Sequence, residues 1–450
     1  MNIPKSYLYT TLFFLSFLVL IFNTSIINYI EELTGHLPSV GINSSTSYLY
    51  GVIWAWLLAY SISLWPINQK EKIVLLIIWG IKTFITLGVL LLYEYNYELD
   101  AFAYFSQPTE DDFTFSGISF DGTENIFNLI WLHHQLLPES YQLLKVSFSY
   151  IGLIASFIFY RAFSLILDYK NINLLLLFSL FPSILFFSST IGKEPLLLLG
   201  ISIYILGVIG LYKKLNHYYL LMIIVGLVIS FSMRYWICFI FSLPLVVLFW
   251  HSKIQINLKI IILLLLLSLF YFLYDYTLHR FISYSVGGWS PYSYKSVEGK
   301  NIFEALNTLF ANRSFGGSSN TWYKSFNSFS DIVEFLPLGV FTALYRPLPG
   351  EVSGIFGLLA GIEKLLLLLI TIHAIFCLRK SSLYNPLFQW MIAIIICWLS
   401  MYSFLSFNNF GANERYKVQI IPIILGLILY VYHEKKYGLL NTHISGKLKK

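Results

Sequence analysis

Charge is scarce in this chain: only 12% of its 450 residues are Asp, Glu, Lys or Arg, about half of what a soluble chain of this length carries. That shortage excludes a soluble globular domain and intrinsic disorder alike. Cysteine is scarcer still. Cys238, Cys377 and Cys397 are all there is, each inside or at the edge of an apolar run, so neither a disulfide framework nor a zinc site is indicated. The acidic clusters lack the spacing of a calcium loop, and no internal repeat stands out. The formal charge of +6 is spread between hydrophobic runs without a basic stripe or arm, which excludes nucleic acid as a partner.

What is abundant is apolar: 57% of residues are hydrophobic and 18% aromatic, with a mean hydropathy of +0.70. A membrane-crossing helix needs about 20 mostly apolar residues. Runs of that kind are centred at 8 to 30, 46 to 66, 73 to 93, 146 to 166, 172 to 190, 194 to 212, 217 to 233, 236 to 251, 259 to 277, 354 to 378, 386 to 405 and 417 to 433. The expectation is an all-α, polytopic membrane protein of about twelve spans forming a single membrane domain over 1–450. The first run lacks a small-residue cleavage site and reads as an uncleaved helix.

Lys and Arg enrich cytoplasmic loops. Placing the N-terminus inside puts Lys70 and Lys72, Arg161 and Lys170, Lys213 and Lys214, Lys253 and Lys259, and Arg379 and Lys380 on that side, together with a basic tail over 434–450. Two long loops, 94–145 and 278–353, then face outward. The short apolar stretch 331 to 346 begins and ends outside and reads as a re-entrant or interfacial element. The stretch 125 to 145, with His133 and His134, reads as an amphipathic surface helix.

Apart from Glu363 and Lys364 the spans read as almost purely apolar, so charges at the outer span ends carry information. Lys193 and Glu194 sit in a tight connection, Arg234 in another, Asn409, Glu414 and Arg415 in a third, and Arg346 and Glu351 precede the tenth span. Charges near membrane depth are costly and usually face a cavity or a partner. Lys193, Arg234, Arg346 and Arg415 together suit an anion, because guanidinium groups clasp phosphate oxygens in bidentate fashion. Arg280 and Arg313 lie in the second long loop. Asp100, Glu98, Glu194, Glu351 and Glu414 are the available general bases. A carboxylate that deprotonates an acceptor hydroxyl, with cations holding a departing pyrophosphate, can transfer a glycosyl group without a metal or other cofactor.

The segments Phe181 to Glu194, Tyr345 to Glu351 and Asn409 to Arg415 resemble membrane proteins of bacterial surface-polysaccharide synthesis, nearest to the O-antigen and capsule repeat-unit polymerases and broadly similar to multi-span C-type glycosyltransferases. The resemblance covers most of the chain in topology and about forty residues in motif. It implies an enzyme of the bacterial cytoplasmic membrane, with both termini cytoplasmic, that moves a growing polyprenyl-pyrophosphate-linked glycan onto the next lipid-linked repeat unit at the outer face. Its implied partners are that lipid-linked oligosaccharide, membrane lipid and a chain-length regulator protein. Its implied site is an external cationic cavity with essential arginines, which the positions named above supply. The arginine-rich paired loops of that family are not clear in this sequence, although Arg280 and Arg313 occupy the general region where the resemblance implies substrate-binding arginines. Two other readings stand beside it: a C-type transferase using a polyprenyl-phosphate sugar, which places an acidic residue in its first outer loop, whereas here the better acidic candidates, Glu98 and Asp100, follow the third span, and a lipid-linked oligosaccharide flippase, against which the two long outer loops count.

Overall fold

The computed structural model describes residues 45–251, 302–313, 318–320 and 324–447, apart from Glu98, Asp111, Asp112, Phe120 and Leu215. Two of the expected spans, 8 to 30 and 259 to 277, lie outside the described residues, as do Glu98 and Arg280. The described residues are helical, and among them no strand longer than an isolated bridge occurs. They group into two compact units, Met1–Cys238 and Phe239–Lys450.

In the first unit α1 spans Ser45–Leu64 and α2 spans Gln69–Phe84. A single wide turn, Ile85–Val89, joins α2 to α3, Leu90–Asn96. The first long loop holds α4, Asp100–Ser106, and α5, Gly122–Leu136. Then come α6, Tyr141–Ile166, the short α7, Ile172–Leu180, and α8, Pro182–Phe187. An antiparallel pair follows, α9, Lys193–Lys214, and α10, His217–Met233. Glycines bring that pair to backbone contact: a Cβ on Gly226 would lie 2.5 Å from the Tyr204 amide nitrogen and 2.6 Å from the Gly200 carbonyl. Small residues at a helix crossing are how apolar helices associate where lipid removes the hydrophobic drive.

Polar contacts fix the direction of the helices. Tyr160 donates to Glu71 at 2.6 Å, Thr86 to Ser149 at 3.0 Å, and Lys145 to Glu94 at 2.8 Å, so α2–α3 runs antiparallel to α6. Lys213 reaches the Ile166 carbonyl at 3.2 Å. Lys70, Lys72, Arg161 and Lys213 therefore gather at one end of this unit, and Lys193 and Arg234 belong to the opposite end of the α9–α10 pair.

The second unit contains α11, Tyr235–Ser242, which straddles the division, α12, Leu245–Trp250, and α13, Ile302–Arg313. The stretch expected to be re-entrant is α14, Phe329–Tyr345, a 17-residue helix with Pro337 inside it. It is followed by α15, Ile355–Cys377, α16, Lys380–Leu383, α17, Pro386–Leu405, α18, Phe410–Lys417, and α19, Ile421–Lys447. The helix α15 shows large side chains outward, Leu359 at 56% and Phe376 at 83%, a surface that water does not tolerate over this length.

Among the described residues six helices are long and apolar enough to cross a membrane: Thr46–Leu64, Gln69–Glu94, Tyr141–Ile166, Lys193–Lys214, Ile355–Cys377 and Pro386–Leu405. A seventh is obtained if α18 and α19, bent by 56°, count as one span. These are helices consistent with a multi-pass membrane protein. The remaining described runs differ from the expectation for local reasons. The run 172 to 190 is broken at Phe181, whose ψ of 124° precedes Pro182, since proline forbids the helical conformation of its predecessor. The run 236 to 251 breaks before Pro244, and 217 to 233 forms a helix of only 17 residues.

Candidate functional site

In the first unit the expected residues meet around the turn between α8 and α9. Glu194 lies in the first turn of α9, where a carboxylate favours the helix amides, and it accepts from Arg234 at 3.0 Å in a pair that is less than a tenth exposed. Arg234 ends α10 in an extended conformation (φ −149°, ψ 99°), which turns its side chain back toward α9. Lys193 donates to the Thr123 hydroxyl at 2.8 Å. Thr123 is brought there because α5 docks its first turn on the end of α10: a Cβ on Gly122 would fall 1.9 Å from the Met233 carbonyl, and Asn125 donates to the Ser232 carbonyl at 2.6 Å.

The underside of the same turn holds a residue that the sequence reading passed over. Lys82, fully buried in the last turn of α2, donates to the Ser188 hydroxyl at 2.6 Å and the Ser189 hydroxyl at 3.0 Å. Gly152 of α6 packs against Ser188. Position 152 lies fourteen residues before Ile166, or about 21 Å along a helix, against a hydrocarbon layer about 30 Å thick. The Ser188–Gly192 turn thus sits inside the apolar layer if α6 crosses it. The signal for Lys82 was a single lysine in an otherwise apolar run.

Glu94, expected at the start of an outer loop, is buried with Lys145 at 2.8 Å and also accepts from Tyr141 at 3.0 Å. His133 hydrogen-bonds the Ser147 hydroxyl at 2.9 Å, and His134 sets its ring edge against Phe105. Burial and then the neighbouring His134 push the His133 imidazole down to about 4. Asp100 stands exposed in the first turn of α4.

In the second unit Arg346 is the hub. It ends α14, and its peptide to Pro347 is cis. The following turn, with Gly350 at φ +93°, lies across Gly361 of α15, where a Cβ would be 2.6 Å from the Pro349 nitrogen. The turn returns Glu351 to Arg346: Nε donates to the two carboxylate oxygens at 2.8 and 3.0 Å, and a terminal nitrogen lies 2.6 Å from Oε1. The Leu348 amide donates to the same carboxylate at 2.6 Å. Partial burial works to raise the Glu351 carboxyl, but these hydrogen bonds and the Arg346 and Lys417 charges outweigh it and hold the group below the ordinary carboxylate value.

The short helix α18 supports Arg346 from beneath. Phe410 places its ring under the guanidinium, 4.8 Å from centroid to carbon. Asn413 donates to the Thr342 carbonyl at 2.9 Å and the Arg346 carbonyl at 3.2 Å, and Lys417 also donates to the Arg346 carbonyl. Glu414 is buried between Lys364 and Lys417, at 2.8 Å from each, and Lys364 also pairs with Glu363. Asn409 caps the helix, accepting from the Ala412 amide at 3.0 Å, and takes a further hydrogen bond from Ser318 at 3.3 Å. Arg415 lies half-buried on the flank of α18. The side chain of Arg313, at the end of α13, and the whole of Arg280 lie outside the described residues.

Arg346, Lys364, Arg415 and Lys417 set against Glu351, Glu363 and Glu414 leave this group one positive charge in excess, four minus three. Two of the expected bases are therefore engaged in buried ion pairs, Glu194 with Arg234 and Glu414 with two lysines. Glu351, whose side chain is 26% exposed beside an arginine at 18%, is both paired and reachable. Comparison with protein-family models, with known proteins and with solved structures finds no match for this chain.

Proposed function

We propose that this chain polymerises polyprenyl-pyrophosphate-linked oligosaccharide repeat units into a bacterial surface polysaccharide, at the outer face of the cytoplasmic membrane, with about twelve spans and both termini inside. The observation that carries the reading is Arg346: a partly buried guanidinium, 18% exposed, held over the Phe410 ring beside a carboxylate that is 26% exposed, on an element anchored by buried charge. Such a fork suits the oxygens of a pyrophosphate. Glu351 is the preferred acceptor base, with Asp100, exposed in the first unit, as the alternative. In the transfer, the acceptor hydroxyl gives its proton to the carboxylate and forms the new bond to the anomeric carbon. The old bond from that carbon to the pyrophosphate oxygen breaks, and the electron pair leaves with the polyprenyl pyrophosphate. Arg415 is the further cation of the second unit assigned to the anionic substrate, Lys193 and Arg234 are the candidate anion-binding cations of the first unit, and the end that gathers Lys70, Arg161 and Lys213 is assigned to the cytoplasm.

The test is the length distribution of lipid-linked and surface glycan in cells lacking this gene and in cells complemented with Arg346→Ala or Arg415→Ala. Accumulated single repeat units in the deletion and in both variants, at unchanged protein level, support the reading. Unfinished precursor held on the cytoplasmic face would instead mean a flippase, and full-length chains lacking one side sugar a C-type transferase. Unchanged long chains in both arginine variants would remove the site assignment.

A further inference from the structure

We infer that Glu351 is an internal stand-in for the anion that Arg346 takes, so that a pyrophosphate must displace Glu351 and by doing so releases it to act. The Glu351 carboxylate occupies the fork of the guanidinium, one oxygen 2.6 Å from a terminal nitrogen and the other 3.0 Å from Nε. That is the two-point geometry in which arginine binds a phosphate, and both cannot be held there at once. The rest of the cluster fixes Arg346 and leaves the carboxylate as the part that gives way. The Arg346 carbonyl is held by Asn413 and Lys417, and its guanidinium rests on Phe410. Glu351 sits after Gly350 in an exposed turn, and its carboxylate also accepts from the Leu348 amide. With Arg346 in place, Glu351 is a carboxylate held below its ordinary basicity, a poor acceptor for a hydroxyl proton. An incoming pyrophosphate removes the guanidinium from it, and the freed carboxylate recovers proton affinity beside the bound leaving group. The order of events is donor first, base second, which keeps the base from acting before there is a leaving group to expel.

The exchange of anions on Arg346 needs only the geometry, while the assignment of Glu351 as the base rests on the transferase reading above. The two are separated by measuring binding apart from turnover. The full chain, in nanodiscs of phosphatidylcholine, is titrated calorimetrically with inorganic pyrophosphate and with farnesyl pyrophosphate. Glu351→Gln keeps an acceptor for the Leu348 amide but gives up the charge that competes for Arg346. It is expected to bind both probes about fivefold more tightly than the wild type, the worth of a partly exposed ion pair, while its cells accumulate unpolymerised repeat units. Arg346→Ala is expected to lose binding of both. Equal or weaker binding by Glu351→Gln overturns the stand-in role. So does a gain seen only as retention of phosphatidylglycerol in anionic nanodiscs, which would make the anion a lipid headgroup. Tighter binding together with normal polymer in Glu351→Gln cells overturns the release of a base. Normal polymer after deletion of the gene fails the functional reading and leaves the binding result standing.

Discussion

Removing Glu414 is expected to unsettle the second unit far more than removing Glu414 and Lys417 together. The buried group holds Glu363 and Glu414 against Lys364 and Lys417, two charges of each sign, with Lys364 and Lys417 no more than 1% exposed. Glu414→Gln leaves one positive charge in excess out of reach of water, and Lys417→Met leaves one negative. Breaking a buried pair on one side costs about 3–5 kcal/mol, so each single change should lower unfolding free energy by about that amount. The double change restores neutrality, with Lys364 still paired to Glu363, and Asn413 still holds the Arg346 carbonyl. Exchanging a buried pair for neutral groups is close to free, so the double variant should lie within about 2 kcal/mol of the wild type. The cycle then gives a coupling energy of several kcal/mol. The assay is reversible unfolding in mixed micelles, followed by tryptophan fluorescence. Strict additivity, with the double variant losing the sum of the singles, would refute the claim that these charges are buried as a unit. So would single variants indistinguishable from the wild type.

Two other outcomes are expected. Because His133 is held down to about 4 in the folded chain against an ordinary 6.5, the unfolded chain takes up the proton first as pH falls. The docking of α5 on α6 should be fully stable above about pH 6.5 and weaken steadily toward pH 4. Unfolding midpoints across that range should fall less steeply in His133→Gln, and identical slopes would count against the assignment. Gly226→Val should separate α9 from α10, costing about 1–3 kcal/mol or more, whereas Gly88→Ala, whose added carbon meets nothing closer than 3.8 Å, should leave the unfolding midpoint nearly unchanged.

Hydropathy made the long spans legible, and lysine placement in short loops gave the same alternation that the Glu71–Tyr160 and Lys213–Ile166 contacts show. The grouping of Arg346 with Glu351 and of Lys193 with Glu194 was also legible, because neighbours in sequence at a span end stay neighbours. Pairings across the chain were not. Nothing in the sequence ties Glu94 to Lys145 or Glu414 to Lys364, since hydropathy averages a lone charge into its apolar surroundings and says nothing of which helix answers it. For the same reason Lys82 disappeared into its run. The shortening of 172 to 190 and of 236 to 251 was marked by Pro182 and Pro244, but composition outweighed those two residues in the sequence reading. Half of the site lay where an averaged property is least informative.

The wide turn Ile85–Val89 has a consequence for how the second helix of the chain is read along its length. Glu71 and Lys82 are eleven positions apart, which at about 100° per residue brings them back to within about 20° of one line. Lys82 and Glu94 are twelve apart, and in an unbroken α-helix Glu94 would point about 120° away from that line. A wide turn absorbs one extra residue without advancing the helix, so Glu94 returns to the side that meets Lys145, as Lys82 and Glu71 meet their own partners. The three ionisable groups are thereby strung on one stripe by a single inserted position. Deleting one residue between Ile85 and Val89 would leave Lys82 and Glu94 eleven apart in an unbroken α-helix and so keep them on that line, whereas straightening the wide turn with all five residues kept would swing the last third of the helix out of phase with its contacts.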